Sequence, residues 1–254
     1  MNPIIVALDV DSADEARTLV KRIGPAVSFY KVGMELYCAA GMDFVRELRG
    51  EGKDVFLDLK FYDIGETVKR AVAVVARSGV RFLTVHGVGA VMRAAVEGRG
   101  DSRLQLIAVT VLTSFDRRDL EEDGYTCEVS ELVLKRARQA MEAGVDGVVL
   151  SPLEAVTVRA AVGPQAILVT PGVRSAGAGK GDQKRVATPA EAIRAGASHV
   201  VMGRQITRAA DPAAEVARVL AEIAEAVSGT VVDLDQAKLT EPSNRGPGTF
   251  GSGV

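Results

Sequence analysis

The sequence predicts an α/β protein: a (β/α)8 TIM barrel in a single domain, followed by a flexible C-terminal tail. Three observations carry that expectation. Eight short apolar runs of strand type recur along the chain, amphipathic helical stretches follow them, and the 254 residues lie near the roughly 250 usual for this architecture. Regular β-then-α alternation requires a parallel sheet with right-handed crossovers. An open, doubly wound sheet is the alternative, but its Gly-rich fingerprint is missing after the first strand, where Asp9-Val10-Asp11-Ser12 fills the turn.

The first strand is expected over residues 4–10, where Ile4-Ile5-Val6 opens a buried-type apolar run. A helix over 12–23 follows, with Asp11 and Ser12 as natural N-caps. Further strands are expected at 27–32, 55–60, 80–86, 104–111, 147–150, 166–170 and 198–202, each a short β-rich run. Apolar residues at three- and four-residue spacing mark helices over 63–78, 129–143, 152–161 and 212–227. From Ser228 the pattern stops, and Glu241-Pro242-Ser243-Asn244-Arg245-Gly246-Pro247-Gly248 has no core-forming face. The expected division is therefore a catalytic barrel over 1–227 and a tail over 228–254.

Composition narrows the partners. A hydrophobic fraction of 47% and a charged fraction of 25% suit a globular chain with a substantial core. The formal net charge of -2 gives no general attraction to nucleic acid or acidic lipid, so a small molecule is the expected partner. Cys38 and Cys127 are far apart and lack CxxC or His-rich company, which leaves neither a metal site nor a disulfide framework to expect. No apolar stretch approaches the roughly 20 residues of a membrane span, and no cationic leader precedes Ile4. A cytoplasmic location is expected.

In a β/α barrel the site is built at the C-terminal ends of the strands. Nearly every expected strand ends in a polar residue: Asp9, Lys31, Asp58 with Lys60, His86, Thr113 with Ser114, Arg174, and Gly203 with Arg204. Any one of these alone reads as a solvated charge; the whole set reads as a cavity lining. Asp58 and Lys60 are two residues apart, which in a strand puts carboxylate and ammonium on one face. Asp63, at the turn into the next helix, is placed to cap it. The loops after strands seven and eight, 171–185 and Gly203-Arg204, supply guanidinium forks and backbone N–H groups suited to a phosphate.

Other signals are set aside. Gly177-Ala178-Gly179-Lys180-Gly181 lacks the Ser or Thr that a P-loop needs after its lysine, so Lys180 is read as a solvated loop residue. Gly87-Val88-Gly89 has Met92 where a nucleotide fingerprint needs a third glycine. His86 is assigned packing or a network role, and His199, at the start of the eighth strand, lies away from the catalytic face.

Asp58-Leu59-Lys60-Phe61-Tyr62-Asp63-Ile64 resembles the DxKxxD signature of the orotidine 5'-phosphate decarboxylases. The resemblance extends, in family order, through Ala7-Leu8-Asp9, Tyr30-Lys31-Val32-Gly33, Thr84-Val85-His86-Gly87, Thr110-Val111-Leu112-Thr113-Ser114 and Thr170-Pro171-Gly172-Val173-Arg174. It continues through Gly181-Asp182-Gln183-Lys184-Arg185 and Val201-Met202-Gly203-Arg204, covering residues 4 to about 227. Two positions depart from the common family pattern: Gly65 and Gln205 stand where proline is usual.

The resemblance implies decarboxylation of orotidine 5'-phosphate to uridine 5'-monophosphate in pyrimidine synthesis, with neither cofactor nor metal. Lys60 would donate the proton, Asp58 would face the substrate carboxylate, and Lys31, Asp58, Lys60 and Asp63 would form an alternating network. Asp63 and Thr67 would come from the second subunit of a homodimer with shared sites. Asp9 and Lys31 would meet the ribose, Thr113 and Ser114 the pyrimidine, and Arg174, Gln183, Gly203 and Arg204 the phosphate, with the loop after strand seven closing as a lid. Two alternatives compete. A magnesium-dependent hexulose-phosphate synthase or keto-gulonate-phosphate decarboxylase shares DxKxxD but typically carries an acidic ligand after the second strand, where this chain has Lys31. A non-catalytic phosphate-binding barrel is the other.

Overall fold

A computed structural model of the chain describes residues 2–175 and 187–238, with side chains through residue 228. Eight parallel strands close into a barrel in sequence order. They are β1 (Ile4–Ala7), β2 (Phe29–Gly33), β3 (Asp54–Phe61), β4 (Phe82–His86), β5 (Gln105–Val109), β6 (Gly147–Val149), β7 (Ile167–Pro171) and β8 (His199–Met202). Closure is made by β8 pairing with β1 through Ile4 with Val200, Ile5 with Val201 and Val6 with Met202.

The helices of the outer layer are α1 (Ala13–Ile23), α2 (Met34–Gly50, kinked at Gly41), α3 (Gly65–Ala76), α4 (Gly89–Arg99), α5 (Arg117–Glu122), α6 (Val129–Glu142), α7 (Ala155–Val162), α8 (Pro189–Arg194), α9 (Arg204–Thr207) and α10 (Pro212–Lys238). Their ends follow ordinary capping chemistry. Ser12 Oγ accepts from the Glu15 N–H to start α1, and Thr188 and Glu191 form a capping box at α8. Among the described residues no helix is long and apolar enough to cross a membrane.

All eight expected strands are present, most of them shorter than their apolar runs. β1 stops at Ala7, and Leu8 continues the run only by donating its N–H to the Lys31 carbonyl. The stretch expected as one helix over 152–161 is a 3-10 turn, Pro152–Glu154, followed by α7. The last helix does not end at 227: α10 runs on to Lys238, because Gly229 and Thr230 weaken a helix without stopping it. Residues 239–254 of the expected tail lie outside the described residues.

Strand alternation sorts the core into two layers. Ile4, Val6, Tyr30, Leu57, Leu83 and Val200 face outward into the main core with residues such as Leu19, Leu36, Val72 and Met92 of the helices. Ile5, Ala7, Phe29, Phe56, Phe82, Ile107, Val169 and Val201 face inward and fill the barrel. A barrel of this size is a packed core at its base, leaving room for a ligand only at the mouth.

The base is closed by aromatic and charged groups together. The His199 ring meets Phe29 and Phe82 edge-on, at 5.6 and 5.5 Å between centroids. Arg81 lies over the same two rings and pairs with Asp54 at 2.8 Å, which also takes Arg49 at 3.1 Å. His199 Nδ1 is buried without a hydrogen-bond partner. Burial first, then the Arg81 charge, push the His199 pKa down to about 4, against the opposing pull of the Pro3 carbonyl and Asp54.

An unfolded chain takes up that histidine proton near pH 6.5, the folded chain only near 4. Neutral His199 therefore contributes stability fully above pH 6.5, and the contribution is lost as pH falls toward 4, by up to about 3 kcal/mol. His199→Gln should flatten the fall in urea-unfolding free energy between pH 6.5 and 4.5 relative to the parent. Parallel curves for the two proteins would show that this buried imidazole does not control the acid limb.

Candidate active site

The inward positions one layer above the apolar fill change character. On β2 the sequence places Lys31 two residues after Phe29, and on β3 it places Asp58 two residues after Phe56. A cavity of about 290 Å³ opens there. Its floor is Ala7, Phe56, Val109, Val149, Val169 and Val201; one wall carries Asp9, Lys31, Asp58 and Lys60, and Thr113, Arg174, Gly203 and Arg204 line the rest of the mouth.

The charged wall is a chain of alternating sign. Lys31 Nζ donates to Asp9 Oδ1 at 2.8 Å and lies 3.7 Å from Asp58 Oδ2, and Lys60 Nζ donates to Asp58 Oδ1 at 3.0 Å. Lys31 and Asp58 are largely shielded from water, with side chains 11% and 14% exposed. Burial alone would push the Asp58 pKa up, but the Lys31 and Lys60 charges and the hydrogen bonds from Lys60 and Thr84 outweigh it, so the carboxyl is held below its ordinary range. Room for the Lys31 ammonium comes from Gly33. A Cβ there would stand 2.9 Å from Lys31 Nζ and 3.2 Å from Asp9 Oδ1.

Asp58 and Lys60 meet as expected, but not on a regular strand. Between Leu57, paired with Leu83, and Phe61, paired with Val85, β3 takes four steps while β4 takes two. Lys60 absorbs the excess with φ of 50°, the only positive φ at a non-glycine residue among those described. For a lysine this left-handed conformation costs on the order of 1–2 kcal/mol and needs support. Thr84 gives it: its hydroxyl accepts from the Lys60 N–H at 2.9 Å and donates to Asp58 Oδ1 at 2.9 Å. Thr84 is fully buried on β4. In the sequence its only signal is register: it lies two residues before His86, on the inward face of β4.

The remaining expected site residues fall into separate groups. Asp63 is exposed and outside the cavity, and it does not cap the next helix as expected. α3 begins at Gly65 with Ile64 at its cap position, so the Asp63 carboxylate is too early and instead accepts from the Ile64 N–H at 2.6 Å. Thr67, one turn into α3, and Ser114 are likewise exposed and outside the cavity. Gln183 lies outside the described residues, as do Lys180 and most of the expected lid. His86 packs its ring against Tyr62 at 4.9 Å, and burial, then Arg136 and Lys60, lower its pKa. That agrees with a packing role. Gln205, a further cavity residue that the sequence had marked only as a departure, lines the wall beside Arg204. Among the described residues no group of three or more His, Cys, Asp or Glu side chains is arranged to hold a metal ion.

The family model described as "Orotidine 5'-phosphate decarboxylase / HUMPS family" matches residues 2–219. A protein named orotidine 5'-phosphate decarboxylase from Nitrobacter winogradskyi is 52% identical over 224 residues, spanning 88% of this chain and 93% of that one. Another of that name from Methylobacterium sp. strain 4-46 is 53% identical over 226 residues, 88% of this chain and 96% of that one. Among solved structures, orotidine 5'-phosphate decarboxylase from Lactobacillus acidophilus has a TM-score of 0.78 at 36% identity, covering 88% of this chain and 99% of that one. An uncharacterized conserved protein from Geobacillus kaustophilus has a TM-score of 0.76 at 37% identity, covering 87% and 100%.

Replacing Thr84 with valine keeps the shape and removes the hydroxyl that serves both Lys60 and Asp58. The Asp58 carboxyl should then titrate at higher pH than in the parent, because one of the hydrogen bonds that lower it is gone. Carbon-13 NMR of the Asp58 carboxyl reads this directly; an unchanged midpoint would remove Thr84 from the electrostatics of the site.

Proposed function

The chain belongs to the orotidine 5'-phosphate decarboxylase / HUMPS family, and from that premise we propose how its residues carry out the reaction. It is a carboxy-lyase that converts orotidine 5'-phosphate to uridine 5'-monophosphate and CO2, a step of pyrimidine synthesis. The observation that carries the mechanism is the Asp58 carboxylate, buried and ionised between the ammonium groups of Lys31 and Lys60 at the barrel mouth.

Breaking the bond to the departing carboxylate leaves an electron pair on a ring carbon, in the plane of the pyrimidine, where the ring π-system cannot spread it. The stabilisation has to be electrostatic and in place beforehand. Lys60 Nζ stands beside that carbon, stabilises the developing negative charge and then donates a proton to it. Asp58 faces the substrate carboxylate, disfavours its charge and keeps the Lys60 ammonium on station. The chemistry of these side chains calls for neither a cofactor nor a metal.

Asp9 and Lys31 meet the ribose hydroxyls, and Thr113 meets the pyrimidine. Arg174, Gln183, Gly203 and Arg204 take the phosphate dianion. Those contacts anchor the substrate at the end remote from the reacting carbon. The location is cytoplasmic and nucleic acid is not a partner, in keeping with the formal net charge of -2.

The active unit is a homodimer. Asp63 and Thr67 point to solvent from the segment after β3, and Asp63 is flanked by Tyr62 and Ile64, which are 65% and 72% exposed. Large apolar side chains so exposed on both sides of an acidic residue suit an interface between two copies. Asp63 and Thr67 would enter the neighbouring cavity and complete the alternating charges there.

Lys60→Ala should fold and lower kcat/KM for orotidine 5'-phosphate by roughly 10⁴-fold, a loss in line with removing both a proton donor and a charge stabiliser. The check is loss of ultraviolet absorbance in the presence of EDTA, with circular dichroism to confirm folding. Near-parental turnover of the variant would remove Lys60 from the mechanism. Parental activity that vanishes in EDTA and returns with magnesium would instead favour the hexulose-phosphate synthase or keto-gulonate-phosphate decarboxylase type of chemistry, and a parent inactive in all conditions would leave a non-catalytic phosphate-binding barrel.

Mixing inactive Lys60→Ala and Asp63→Ala protomers under conditions of subunit exchange should restore part of the activity, since one of the two sites in a hybrid dimer would draw both residues from intact chains. Verified exchange without recovery would mean that Asp63 serves its own subunit.

A further inference from the structure

Gln205 follows Arg204 in the first turn of α9, lines the cavity, and spends its side-chain amide on the other side of the phosphate region. Its Oε1 accepts from the Ser175 N–H at 3.1 Å, and its Nε2 donates to Ser175 Oγ at 3.0 Å and to Glu215 Oε1 at 2.7 Å. Ser175 Oγ in turn donates to Glu222 Oε2 at 2.6 Å, and Arg218 pairs with both glutamates, at 2.7 and 3.6 Å. Ser175 is buried and directly follows Arg174. The stem of the loop after β7 is closed just before it, where the Arg174 N–H donates to the Ala187 carbonyl.

The partners determine the orientation of the amide. Its oxygen must meet a backbone N–H and its nitrogen a carboxylate, so a flipped amide would set donor against donor and acceptor against anion. Glutamate would face Glu215 with like charge, and an aliphatic side chain would leave the Ser175 N–H without a partner. Only a group with a donor and an acceptor at this reach satisfies both ends.

We infer that Gln205 is a positioning residue for the phosphate end of the substrate: it ties the peptide after Arg174 to the turn that carries Arg204, and so sets the spacing of the two guanidinium groups. The inference rests on the reading of these arginines as the phosphate contacts. Gln205 itself need not touch the substrate. α10 supplies the fixed base through Glu215 and Glu222, and the Arg218 hydrogen bond first, then burial in the opposing sense and the Gln205 hydrogen bond, leave the Glu215 pKa lowered, which keeps it an acceptor.

The test is Gln205→Leu, similar in volume but without hydrogen bonds, with Ser175→Ala as a second variant should the first fail to fold. KM for orotidine 5'-phosphate should rise about 10-fold with kcat changed by less than about 2-fold, as expected when two or three hydrogen bonds serve only binding of a remote group. Binding of uridine 5'-monophosphate should weaken by a similar factor, and binding of uridine, which lacks the phosphate, by less than about 2-fold. Equal weakening of nucleotide and nucleoside, or a fall in kcat matching the rise in KM, would make Gln205 a general structural residue and overturn the inference, as would unchanged constants. A parent protein unable to turn over orotidine 5'-phosphate would sink the decarboxylase reading, while the nucleotide-against-nucleoside comparison would still decide the role of Gln205.

Discussion

One acidic group shared by two ammonium groups organises this molecule. Asp58 in isolation would be costly at its depth, and either lysine alone would leave charge poorly compensated beside an apolar floor. Together the three offset one another, and Asp9 completes the set by accepting from Lys31. Such a cluster adds little net stability compared with an apolar replacement. What it provides is preorganisation: charges already oriented before a substrate arrives. Gly33 is small because the Lys31 ammonium occupies the space a side chain would take. Thr84 is a polar residue in the buried part of β4 because both neighbours on β3 need its hydroxyl.

The barrel separates these demands by depth. Near the N-terminal ends of the strands, Phe29, Phe82 and His199 pack with Arg81 and Asp54 into a closed base. In the middle, Phe56 with small and branched residues forms an apolar floor. At the mouth the same inward-facing register presents charge. Because the low-dielectric floor lies directly beneath the charged wall, each ionic contact above it is stronger than it would be in open water. The arginine side of the cavity has a different support, a hydrogen-bonded brace to the last helix, so the two ends of a ligand are held by different parts of the fold.

The sequence disclosed the architecture well, because strand and helix periodicities are strong local signals and eight repeats reinforce one another. It also disclosed Asp9, Lys31, Asp58, Lys60, Thr113, Arg174, Gly203 and Arg204 as cavity residues, since position at a strand end is a local property in a barrel. What stayed hidden depends on contacts between distant segments. Regular alternation is enough to expect Asp58 beside Lys60, yet it does not reveal that β3 is longer than its partner or that Thr84 supports the excess. The cap expected at Asp63 failed for want of one residue of helix, a shift well inside the fraying of helix ends. The extension of α10 to Lys238 was obscured by Gly229 and Thr230, whose low helix propensity weakens a helix without ending it. Ser114 is separated from the cavity that Thr113 lines because consecutive residues leave a loop in different directions.

The irregular segment of β3 also constrains how the gene can change in length. Its surplus over β4 is an even number of residues, so Phe61 returns to the face it would have occupied on a regular ladder, and everything downstream keeps its orientation. Gain or loss of one codon between Leu57 and Phe61 would exchange inward and outward side chains and turn the ammonium into the helical layer. Loss of two would preserve the orientation but straighten the strand and withdraw the lysine from its carboxylate. Insertions and deletions tolerated in most loops of this barrel would therefore be purged from these few positions, even where no individual side chain is altered.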